Sequence, residues 1–258
     1  MPQVHPTAVI DPSAKLADDV VVGAYAIVGP EVELGPRVEL RPHAHVWGRT
    51  RIGEGSRIFS FAVVGEDPQD KDFSGETTEL VIGCNNVIRE HSSIHVGTVK
   101  GGGATRLGDD NLIMSGVHIG HDCQIGSHCI IASQCAIAGH VEVGDYAVIG
   151  GLCGVHQFAR IGESAMVGGL TGVTKDAPPF SIVAGERATT RGVNVIGLRR
   201  RGFSPEVRGQ IKRAFHTLFF SKLRLEVALS QVREEGFDSD EVKRLVAFVE
   251  TSERGVSR

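Results

Sequence analysis

Residues 113–143, IMSGVHIGHDCQIGSHCIIASQCAIAGHVEV, place an aliphatic side chain at every sixth position. The same period runs over residues 4–64, resumes over 82–94 and continues, one residue out of step, over 107–173. A period of six fits neither the roughly 3.6 residues of a helical turn nor the alternation of a strand. It is typical of a parallel β-helix, in which each hexapeptide forms one side of a coil and directs one aliphatic side chain inward.

This pattern predicts a mainly β protein in which three hexapeptides make a coil of about eighteen residues. We expect the β-helix over residues 1–180 and a C-terminal α-helical domain over residues 181–258. The period is interrupted near the polar residues 65–81 and near residues 96–106, which contain three consecutive glycines. Insertions in a solenoid become loops on one side, often the binding side, so we expect both to be functional loops.

Glycine follows the inward aliphatic residue in several hexapeptides, as at Gly53, Gly126 and Gly162. Glycine tolerates a positive φ that other residues rarely adopt. We therefore expect these glycines to form the bends of the coil in that conformation.

Helical spacing replaces the six-residue period after Pro178-Pro179. Ser204 followed by Pro205 is typical of an N-cap and a first helical residue. Three sets of apolar residues then recur at helical intervals: Val207, Ile211, Ala214, Phe215 and Leu218; Leu225, Ala228, Leu229 and Val232; and Val242, Leu245, Val246 and Val249. They predict three helices, which would cover the open end of the β-helix, where unpaired strand edges invite aggregation.

The composition is that of a globular protein, with 258 residues, a formal charge of −4 and 41% hydrophobic residues. Five cysteines without CxxC spacing argue against a disulfide framework and a zinc ribbon. No apolar run approaches the ~18 residues of a membrane-spanning helix, and residues 1–4 do not begin a secretory signal. We expect a cytoplasmic protein without integral membrane insertion.

Winding the chain at about eighteen residues per coil places residues of equal phase above one another. His121, Gly139 and Gln157 then form one line, and Asp122 and His140 lie on the next. Because adjacent coils are ~4.8 Å apart, these residues are expected within two coil spacings. The predicted patch contains His118, His121, Asp122, His140 and His156.

Histidine is a common general base near neutral pH, and a neighbouring carboxylate can orient it. The patch lacks a GxSxG motif, and Cys123 occupies a repeat position that suits a small buried side chain. These features favour proton abstraction without a covalent intermediate, with a glycine N–H on the next coil stabilising an oxyanion. Zinc bound by three histidines, as in a metal-dependent hydratase, is an alternative. A non-catalytic β-helix used for binding is another.

Basic residues are concentrated between Arg187 and Arg224, where ten Lys or Arg residues accompany one acid, Glu206. A local charge of this sign in an acidic chain is typical of a surface that binds an acidic ligand. The segment lacks interleaved stacking aromatics, so nucleic acid is disfavoured. A phosphorylated substrate or an acidic carrier protein is favoured.

Five motifs together resemble the UDP-N-acetylglucosamine acyltransferase family of hexapeptide-repeat enzymes, and the resemblance covers essentially the whole chain. The motifs are His118-Ile-Gly-His-Asp-Cys123, Ala138-Gly-His-Val141, Ile149-Gly-Gly151, Val155-His-Gln-Phe158 and Asn194-Val-Ile-Gly-Leu-Arg-Arg-Arg-Gly-Phe203. The resemblance implies a left-handed coil, a homotrimer with sites between subunits and a place in lipid A biosynthesis. It also implies transfer of a 3-hydroxyacyl chain from acyl carrier protein to the 3-position of UDP-N-acetylglucosamine. The family uses no metal or separate cofactor, because phosphopantetheine arrives on the acyl carrier protein.

The resemblance also implies roles for individual residues. His121 would be the general base that removes the proton of the sugar 3-hydroxyl, Asp122 would support it, and the Gly139 N–H would stabilise the oxyanion. Gly169 matches a position that limits acyl-chain length, and its missing side chain predicts a long chain. The predicted substrate-binding residues are Asp70, His95, His118, His140, His156, Gln157, Asn194 and Arg200.

Two positions depart from the family pattern. The family loop reads Gln-Asp-x-Lys, whereas Lys71 here comes one place early and Asp72 occupies the lysine position. Ile196 stands where relatives often carry glutamate near the nucleotide. Both departures concern the sugar-nucleotide side, so N-acylation of a 3-amino UDP-sugar analogue stays an alternative. A related sugar acetyltransferase that uses acetyl-CoA is a further alternative.

Overall fold

The six-residue period winds the chain into coils whose strands form three sheets. In the computed structural model, which describes residues 1–258, successive strands are assigned to the three sheets in turn. The sheets contain eleven, nine and eight strands. All pairings between neighbouring strands are parallel except the last, which is antiparallel.

The strands are two to five residues long. The first half contains β1 (Gln3–Val4), β2 (Val9–Ile10), β3 (Lys15–Leu16), β4 (Val21–Val22), β5 (Ile27–Val28), β6 (Glu33–Leu34), β7 (Glu39–Leu40), β8 (His45–Val46), β9 (Arg49–Ile52), β10 (Arg57–Ile58), β11 (Val63–Glu66), β12 (Glu79–Ile82), β13 (Val87–Ile88) and β14 (Ser93–His95). The second half contains β15 (Ala104–Leu107), β16 (Leu112–Ile113), β17 (His118–Ile119), β18 (Gln124–Ile125), β19 (Ile130–Ile131), β20 (Ala136–Ile137), β21 (Glu142–Val143), β22 (Val148–Ile149), β23 (Gly154–Val155), β24 (Arg160–Ile161), β25 (Met166–Val167), β26 (Gly172–Val173), β27 (Ser181–Ala184) and β28 (Thr189–Val193). The first sheet has the order β1-β4-β7-β10-β13-β16-β19-β22-β25-β27-β28, the second β2-β5-β8-β11-β14-β17-β20-β23-β26, and the third β24-β21-β18-β15-β12-β9-β6-β3.

In a typical two-residue strand, the side chain of the second residue points into the interior of the β-helix, and the side chain of the first residue points outward. In β16, β19 and β22 the inward residues Ile113, Ile131 and Ile149 are fully buried and stack in register. Burying a side chain of this size contributes about 1.5–3 kcal/mol. A core of 42 buried residues runs through the coils in this way. The predicted parallel β-helix is confirmed.

One sequence expectation is wrong, namely a positive φ at Gly53, Gly126 and Gly162. The left-handed residue of a bend instead comes three positions after the inward aliphatic residue, as at His128, whose φ is 58°. The glycines are needed for the close stacking of the coils. A Cβ on Gly126 would lie 2.3 Å from Asp145 Oδ1 and 2.9 Å from the Asp145 backbone nitrogen.

The two interruptions lengthen single coils without breaking the sheets. Val64 pairs with Val46, eighteen residues earlier, and with Ile94, thirty residues later, across the first insertion. Ile94 then pairs with Ile119, twenty-five residues later, across the second insertion. Next to the insertions, β9, β12 and β15 extend to four residues, and each buries one additional inward side chain: Thr50, Leu80 and Thr105.

The sheets continue past the boundary expected between residues 180 and 181. β27 extends the first sheet by parallel pairing with β25, and β28 returns antiparallel to β27. Phe180, which is fully buried, belongs to the hydrophobic cluster of the helical region. The segment around residue 180 is therefore shared by the last coil and the helices.

The helical region contains α1 (Val195–Arg200), α2 (Pro205–Phe219), α3 (Leu225–Glu234) and α4 (Asp240–Glu250). The three predicted helices correspond to α2, α3 and α4, and the Ser204 side chain accepts a hydrogen bond from the Val207 N–H as the N-cap of α2. The sequence did not predict α1, because six residues are too few to show a helical period. None of the four helices has the length and apolarity needed to cross a membrane.

Arg160 of β24 ties the helical region to the last coils. Its Nε donates to Asp176 Oδ2 over 3.0 Å, and its Nη2 donates to the Phe248 carbonyl of α4 over 2.9 Å. The guanidinium also lies 4.3 Å from the centre of the Phe248 ring. The helices thus pack against the C-terminal end of the β-helix, which they were expected to cover.

Candidate active site

The centre of the site is a histidine and an aspartate at the bend that follows β17. His121 Nδ1 lies 2.7 Å from Asp122 Oδ2, and Asp122 is only 4% exposed. The bend positions the carboxylate, because Asp122 is its left-handed residue, with a φ of 62°. A ring nitrogen that faces a carboxylate carries the proton, so the other nitrogen, Nε2, is left as the basic one.

His140 lies at the equivalent bend one coil later. Its N–H donates to the His121 carbonyl over 2.9 Å, and its Nε2 lies 3.7 Å from Asp122 Oδ2. The His140 ring stacks on Phe158 of the next coil, with ring centres 4.4 Å apart. Burial lowers the pKa of His140 below its ordinary value, although the Asp122 carboxylate opposes this shift. Stacking along the coils therefore brings His121, Asp122 and His140 together, as the register predicts.

Gly139 lies directly above the His121 ring. A Cβ on Gly139 would lie 2.8 Å from both Cε1 and Nε2 of His121, so any larger residue would displace the imidazole. The Gly139 N–H donates to no backbone carbonyl of the chain. The site therefore combines a basic nitrogen with an unused hydrogen-bond donor on the adjacent coil.

Two further histidines lie on the side of the insertions. His118 Nδ1 lies 2.9 Å from Ser93 Oγ, and the His118 and His95 rings are 5.2 Å apart. His95 Nδ1 lies 2.6 Å from the Asp67 carbonyl, which belongs to the first insertion. Burial, and after it the neighbouring imidazoles His95 and His121, lower the pKa of His118. A histidine with a lowered pKa is neutral at pH 7 and can both donate and accept hydrogen bonds.

His156 and Gln157 lie on the next coil and are exposed. The Ala138 N–H donates to the Val155 carbonyl, which places the turn with these two residues against the turn that contains Gly139. His156 Nδ1 lies 3.0 Å from the Gln157 carbonyl and makes no hydrogen bond to the His121 group. His156 Nε2 and the Gln157 side-chain amide make no hydrogen bond within the chain, so both are available to a ligand.

Asn194, Arg200 and Gly169 make no hydrogen bond or ring contact with the His121 group within one chain, whereas the Asp70 carboxylate is close enough to oppose, with Asp122, the lowering of the His140 pKa. Asp70 accepts a hydrogen bond from the Asp72 N–H in the first insertion, over 3.0 Å. Asn194 caps α1 and also donates to the Ser164 carbonyl, and Arg200 of α1 is exposed. Gly169 is exposed on a later coil, and the nearest atom to a Cβ there would be the Gly151 carbonyl oxygen, at 3.3 Å.

Sequence reasoning missed two threonines that hold Asp122. The Thr98 N–H donates to Asp122 Oδ1 and the Thr98 hydroxyl donates to Asp122 Oδ2, each over 2.7 Å. The Asp122 N–H in turn donates to Thr105 Oγ1 over 2.7 Å. Both threonines are nearly or fully buried. The only signal in the sequence was that both belong to, or follow, the second insertion.

Two other properties of the site limit its chemistry. Burial raises the pKa of the neighbouring Cys123 thiol to about 12, so almost no thiolate is present at neutral pH. The ligand atoms of His121, Asp122 and His140 lie within 4.8 Å of one another, a spacing compatible with a metal ion. Both carboxylate oxygens of Asp122, however, already accept hydrogen bonds from Thr98.

The basic segment is divided between structural and exposed residues. The Arg201 guanidinium lies 3.8 Å from the Tyr146 ring centre and 3.8 Å from Glu163 Oε2. Arg199 and Arg200, the last two residues of α1, are exposed and form no ion pair. Part of the positive charge expected to meet an acidic ligand is therefore used inside the chain.

Comparison with known proteins places this arrangement in a family. The family model described as UDP N-acetylglucosamine O-acyltransferase, domain 2, matches residues 176–257, and a bacterial transferase hexapeptide model matches residues 104–139. The chain is 50% identical over 262 residues to an acyl-[acyl-carrier-protein]–UDP-N-acetylglucosamine O-acyltransferase of Paraburkholderia xenovorans, with all of both chains covered. It is 46% identical over 258 residues to the protein of the same name from Halorhodospira halophila, again with both chains fully covered.

Solved structures give the same result. The chain superposes on LpxA from Acinetobacter baumannii with a TM-score of 0.96 and 42% identity, covering 99% of each chain. The UDP-N-acetylglucosamine acyltransferase of Arabidopsis matches with a TM-score of 0.87 and 36% identity, covering 99% of this chain and all of that one. The coil has the left-handed sense of this fold. With full-length relatives of this identity, the chain belongs to the UDP-N-acetylglucosamine O-acyltransferase family of enzymes.

Proposed function

We propose that this protein transfers a 3-hydroxyacyl chain from acyl carrier protein to the 3-hydroxyl of UDP-N-acetylglucosamine, the first step of lipid A biosynthesis. The names of the full-length relatives support the donor and the acceptor. The observation that carries the mechanism is the His121–Asp122 pair beneath the unused Gly139 N–H. The family names also favour an oxygen acceptor over the 3-amino sugar and acyl carrier protein over acetyl-CoA.

The proposed reaction starts with His121 as the general base. Asp122 binds the Nδ1–H, so Nε2 takes the proton of the sugar 3-hydroxyl as its oxygen attacks the thioester carbonyl. The Gly139 N–H stabilises the negative charge that develops on the carbonyl oxygen. The tetrahedral intermediate then collapses, the carbon–sulfur bond breaks, and the leaving thiolate of phosphopantetheine takes the proton from His121.

No covalent acyl-enzyme is part of this proposal. Cys123 is the only cysteine adjacent to the site in sequence, and its pKa of about 12 keeps it protonated. Its thiol is also occupied, since it donates to the Ala138 carbonyl over 3.1 Å. Direct attack by the sugar oxygen needs no protein nucleophile, and we propose that no metal or separate cofactor takes part.

The other predicted residues would hold the substrates. His118, His140, His156 and Gln157 border the His121 group and would contact sugar and pantetheine, with His95 and Asp70 on the side of the first insertion. Asn194 and Arg200 would contact the nucleotide; one amide hydrogen of Asn194 and the exposed guanidinium of Arg200 are unused. Gly169 would leave room for a long acyl chain, because this exposed position carries no side chain.

We also propose a homotrimer with active sites between subunits. From β13 to β27, the outward residues of the first sheet form an apolar stripe that no part of the same chain covers completely. The stripe consists of Val87, Leu112, Ile130, Val148, Met166 and Ile182. The outward residues of the third sheet, apart from Val81, are instead charged or polar, as at Arg106, Gln124 and Glu142. An apolar stripe on one face supports association with further copies. The five free cysteines support a reducing, cytoplasmic location.

The test replaces His121 with alanine and measures acyl transfer to UDP-N-acetylglucosamine from acyl carrier protein. General-base catalysis typically contributes 10²–10⁴-fold, so we expect a loss of at least ~10²-fold with the trimer and the unfolding temperature unchanged. His128→Ala is the matched control, because His128 lies on the neighbouring corner, 43% exposed at its side chain, and should leave the rate unchanged. Unchanged turnover in His121→Ala would refute the general-base assignment.

The same assay separates the alternatives for substrate. We expect acyl carrier proteins to serve as donors and acetyl-CoA to fail, and we expect the sugar hydroxyl to be preferred over the 3-amino analogue. Faster transfer to the 3-amino analogue would instead identify an N-acyltransferase. Mass spectrometry of enzyme quenched with donor alone should find no acyl adduct.

A further inference from the structure

The second insertion, residues 96–106, folds directly over the buried carboxylate of Asp122. Thr98, which is 5% exposed, donates its backbone N–H to Oδ1 and its hydroxyl to Oδ2, each over 2.7 Å. Asp122 Oδ2 therefore accepts from Thr98 and also faces His121 Nδ1 at 2.7 Å. The carboxylate is thus held on both oxygens by a segment that the regular repeat does not supply.

The insertion has the local structure needed to make this contact. The Gly103 N–H donates to the Thr98 carbonyl over 2.8 Å, and the Gly101 N–H donates to Thr98 Oγ1 over 3.1 Å. Gly101 packs against the carboxylate so closely that a Cβ on it would lie 2.0 Å from Asp122 Cγ. A side chain at position 101 would therefore push the insertion away from Asp122.

We infer that Thr98 is a positioning residue for the transfer reaction, acting on His121 through Asp122. The inference rests on the proposed function, because it assumes that His121 is the base. Two hydrogen bonds from one residue fix both the position and the rotation of the carboxylate. Without the hydroxyl, Oδ2 has no donor besides His121, and His140 Nε2 at 3.7 Å becomes a competing partner. The carboxylate could then turn toward His140 and leave the His121 imidazole without a fixed orientation.

The geometry assigns Thr98 this role rather than a general structural one. Its hydroxyl has two contacts, the acceptor Asp122 Oδ2 and the donor Gly101 N–H. Neither contact belongs to the aliphatic core, and Thr98 is not part of either hydrophobic cluster. Loss of the hydroxyl should therefore change the rate of the chemical step more than it changes substrate binding or folding.

The experiment compares Thr98→Val, which keeps the shape but removes the hydroxyl, with Thr98→Ser, which keeps the hydroxyl. We expect Thr98→Val to lower kcat by about tenfold, because a hydrogen bond to a charged group is lost. KM for UDP-N-acetylglucosamine and the unfolding temperature should stay unchanged. Thr98→Ser should restore most of kcat. Thr217→Val is the matched control, since Thr217 is also buried but belongs to α2.

A second pair of variants tests the same contact from the other side. Gly101→Ala should show the same selective loss of kcat, because its Cβ would displace the insertion from Asp122. Gly209→Ala is the control, because a Cβ at Gly209 would meet no neighbouring atom within 4 Å. This pair keeps the inference testable should Thr98→Val fail to fold.

The outcomes separate this inference from the proposed function. An inactive His121→Ala together with a Thr98→Val variant of unchanged kcat would overturn the role of Thr98 alone. A Thr98→Ser variant no better than Thr98→Val, or a loss that appears equally in KM, would overturn it as well. An active His121→Ala would overturn the proposed function itself.

Discussion

The β-helix contains two kinds of coil, which are built from the same repeat but differ in function. The regular coils lie between Leu112 and Val173, and the interrupted coils lie between Val46 and Ile119. In the regular coils, each strand has two residues, and each strand from β16 to β23 pairs with the strand eighteen residues later. In the interrupted coils, the pairing distance rises to thirty and then to twenty-five residues, and the strands of the third sheet lengthen to four residues. The first region repeats one structure, whereas the second adds a loop to each of two coils.

The difference shows how a solenoid with a uniform core acquires a specific site. The regular coils supply Gly139 and His140 at fixed heights, because their spacing is set by strand pairing. The interrupted coils supply His95, which ends β14 beside His118, and Thr98, which no regular bend could place beside Asp122. The candidate active site therefore lies where the two regions meet, with a rigid side made of coils and a second side made of loops.

The largest effect on stability is expected from the core of the regular coils. Ile131→Ala should lower the free energy of unfolding by about 2–5 kcal/mol, because it leaves a cavity between the stacked Ile113 and Ile149. Ile131→Val removes one methylene and should cost only about 0.5–1.5 kcal/mol. Denaturant unfolding followed by circular dichroism measures both. If both variants lowered the free energy of unfolding by the same amount, the coil would have to relax and fill the cavity left by the larger truncation.

A smaller effect is expected from the glycines that allow adjacent coils to stack. Gly126→Ala should destabilise the protein by about 1–3 kcal/mol, because its Cβ would contact the Asp145 side chain and backbone. Gly154→Ala is the control, since a Cβ there meets no atom within 4 Å and Gly154 has no positive φ. The unfolding temperatures of the two variants give the comparison. If Gly154→Ala were the more damaging change, close coil stacking would not explain the glycine at position 126.

The regular region could be predicted from the sequence in detail. Inward positions such as Ile131 follow from the six-residue period, and the juxtaposition of Asp122 with His140 follows from counting one coil. Both results depend on a constant pairing distance, which backbone hydrogen bonding maintains from one coil to the next. The expectation of a positive φ at Gly126 was wrong because the period gives the order of residues along a coil but not how closely the adjacent coil packs against each residue.

The interrupted region could not be predicted in the same way. Thr98 contacts Asp122 twenty-four residues later, across an insertion in which counting by coils no longer applies. The two hydrogen bonds depend on the local fold of the glycine-rich segment, where Gly102 and Gly103 have φ values of 92° and 82°. The sequence predicted that this insertion is a functional loop, but the structure was needed to identify the residue of the loop that contacts Asp122.

The smallest effect is expected from the ion pair that links the two insertions at the surface. Lys100 Nζ contacts Asp72, which occupies the position where the family usually has lysine. Both side chains are about two-thirds exposed, at 70% and 67%, so solvent and salt screen the attraction. Asp72→Asn should therefore change kcat by less than about threefold, in contrast to Thr98→Val.

Lys100 lowers the pKa of Asp72 below its ordinary value of 3.8, so the pair is present at neutral pH and is lost only as the pH falls below that value. Lys100→Gln and the double variant complete the comparison, and the double variant should be no worse than either single change. A loss of tenfold or more in Asp72→Asn, reproduced in the wild type by high salt, would mean that the surface pair rather than Thr98 holds the second insertion over Asp122.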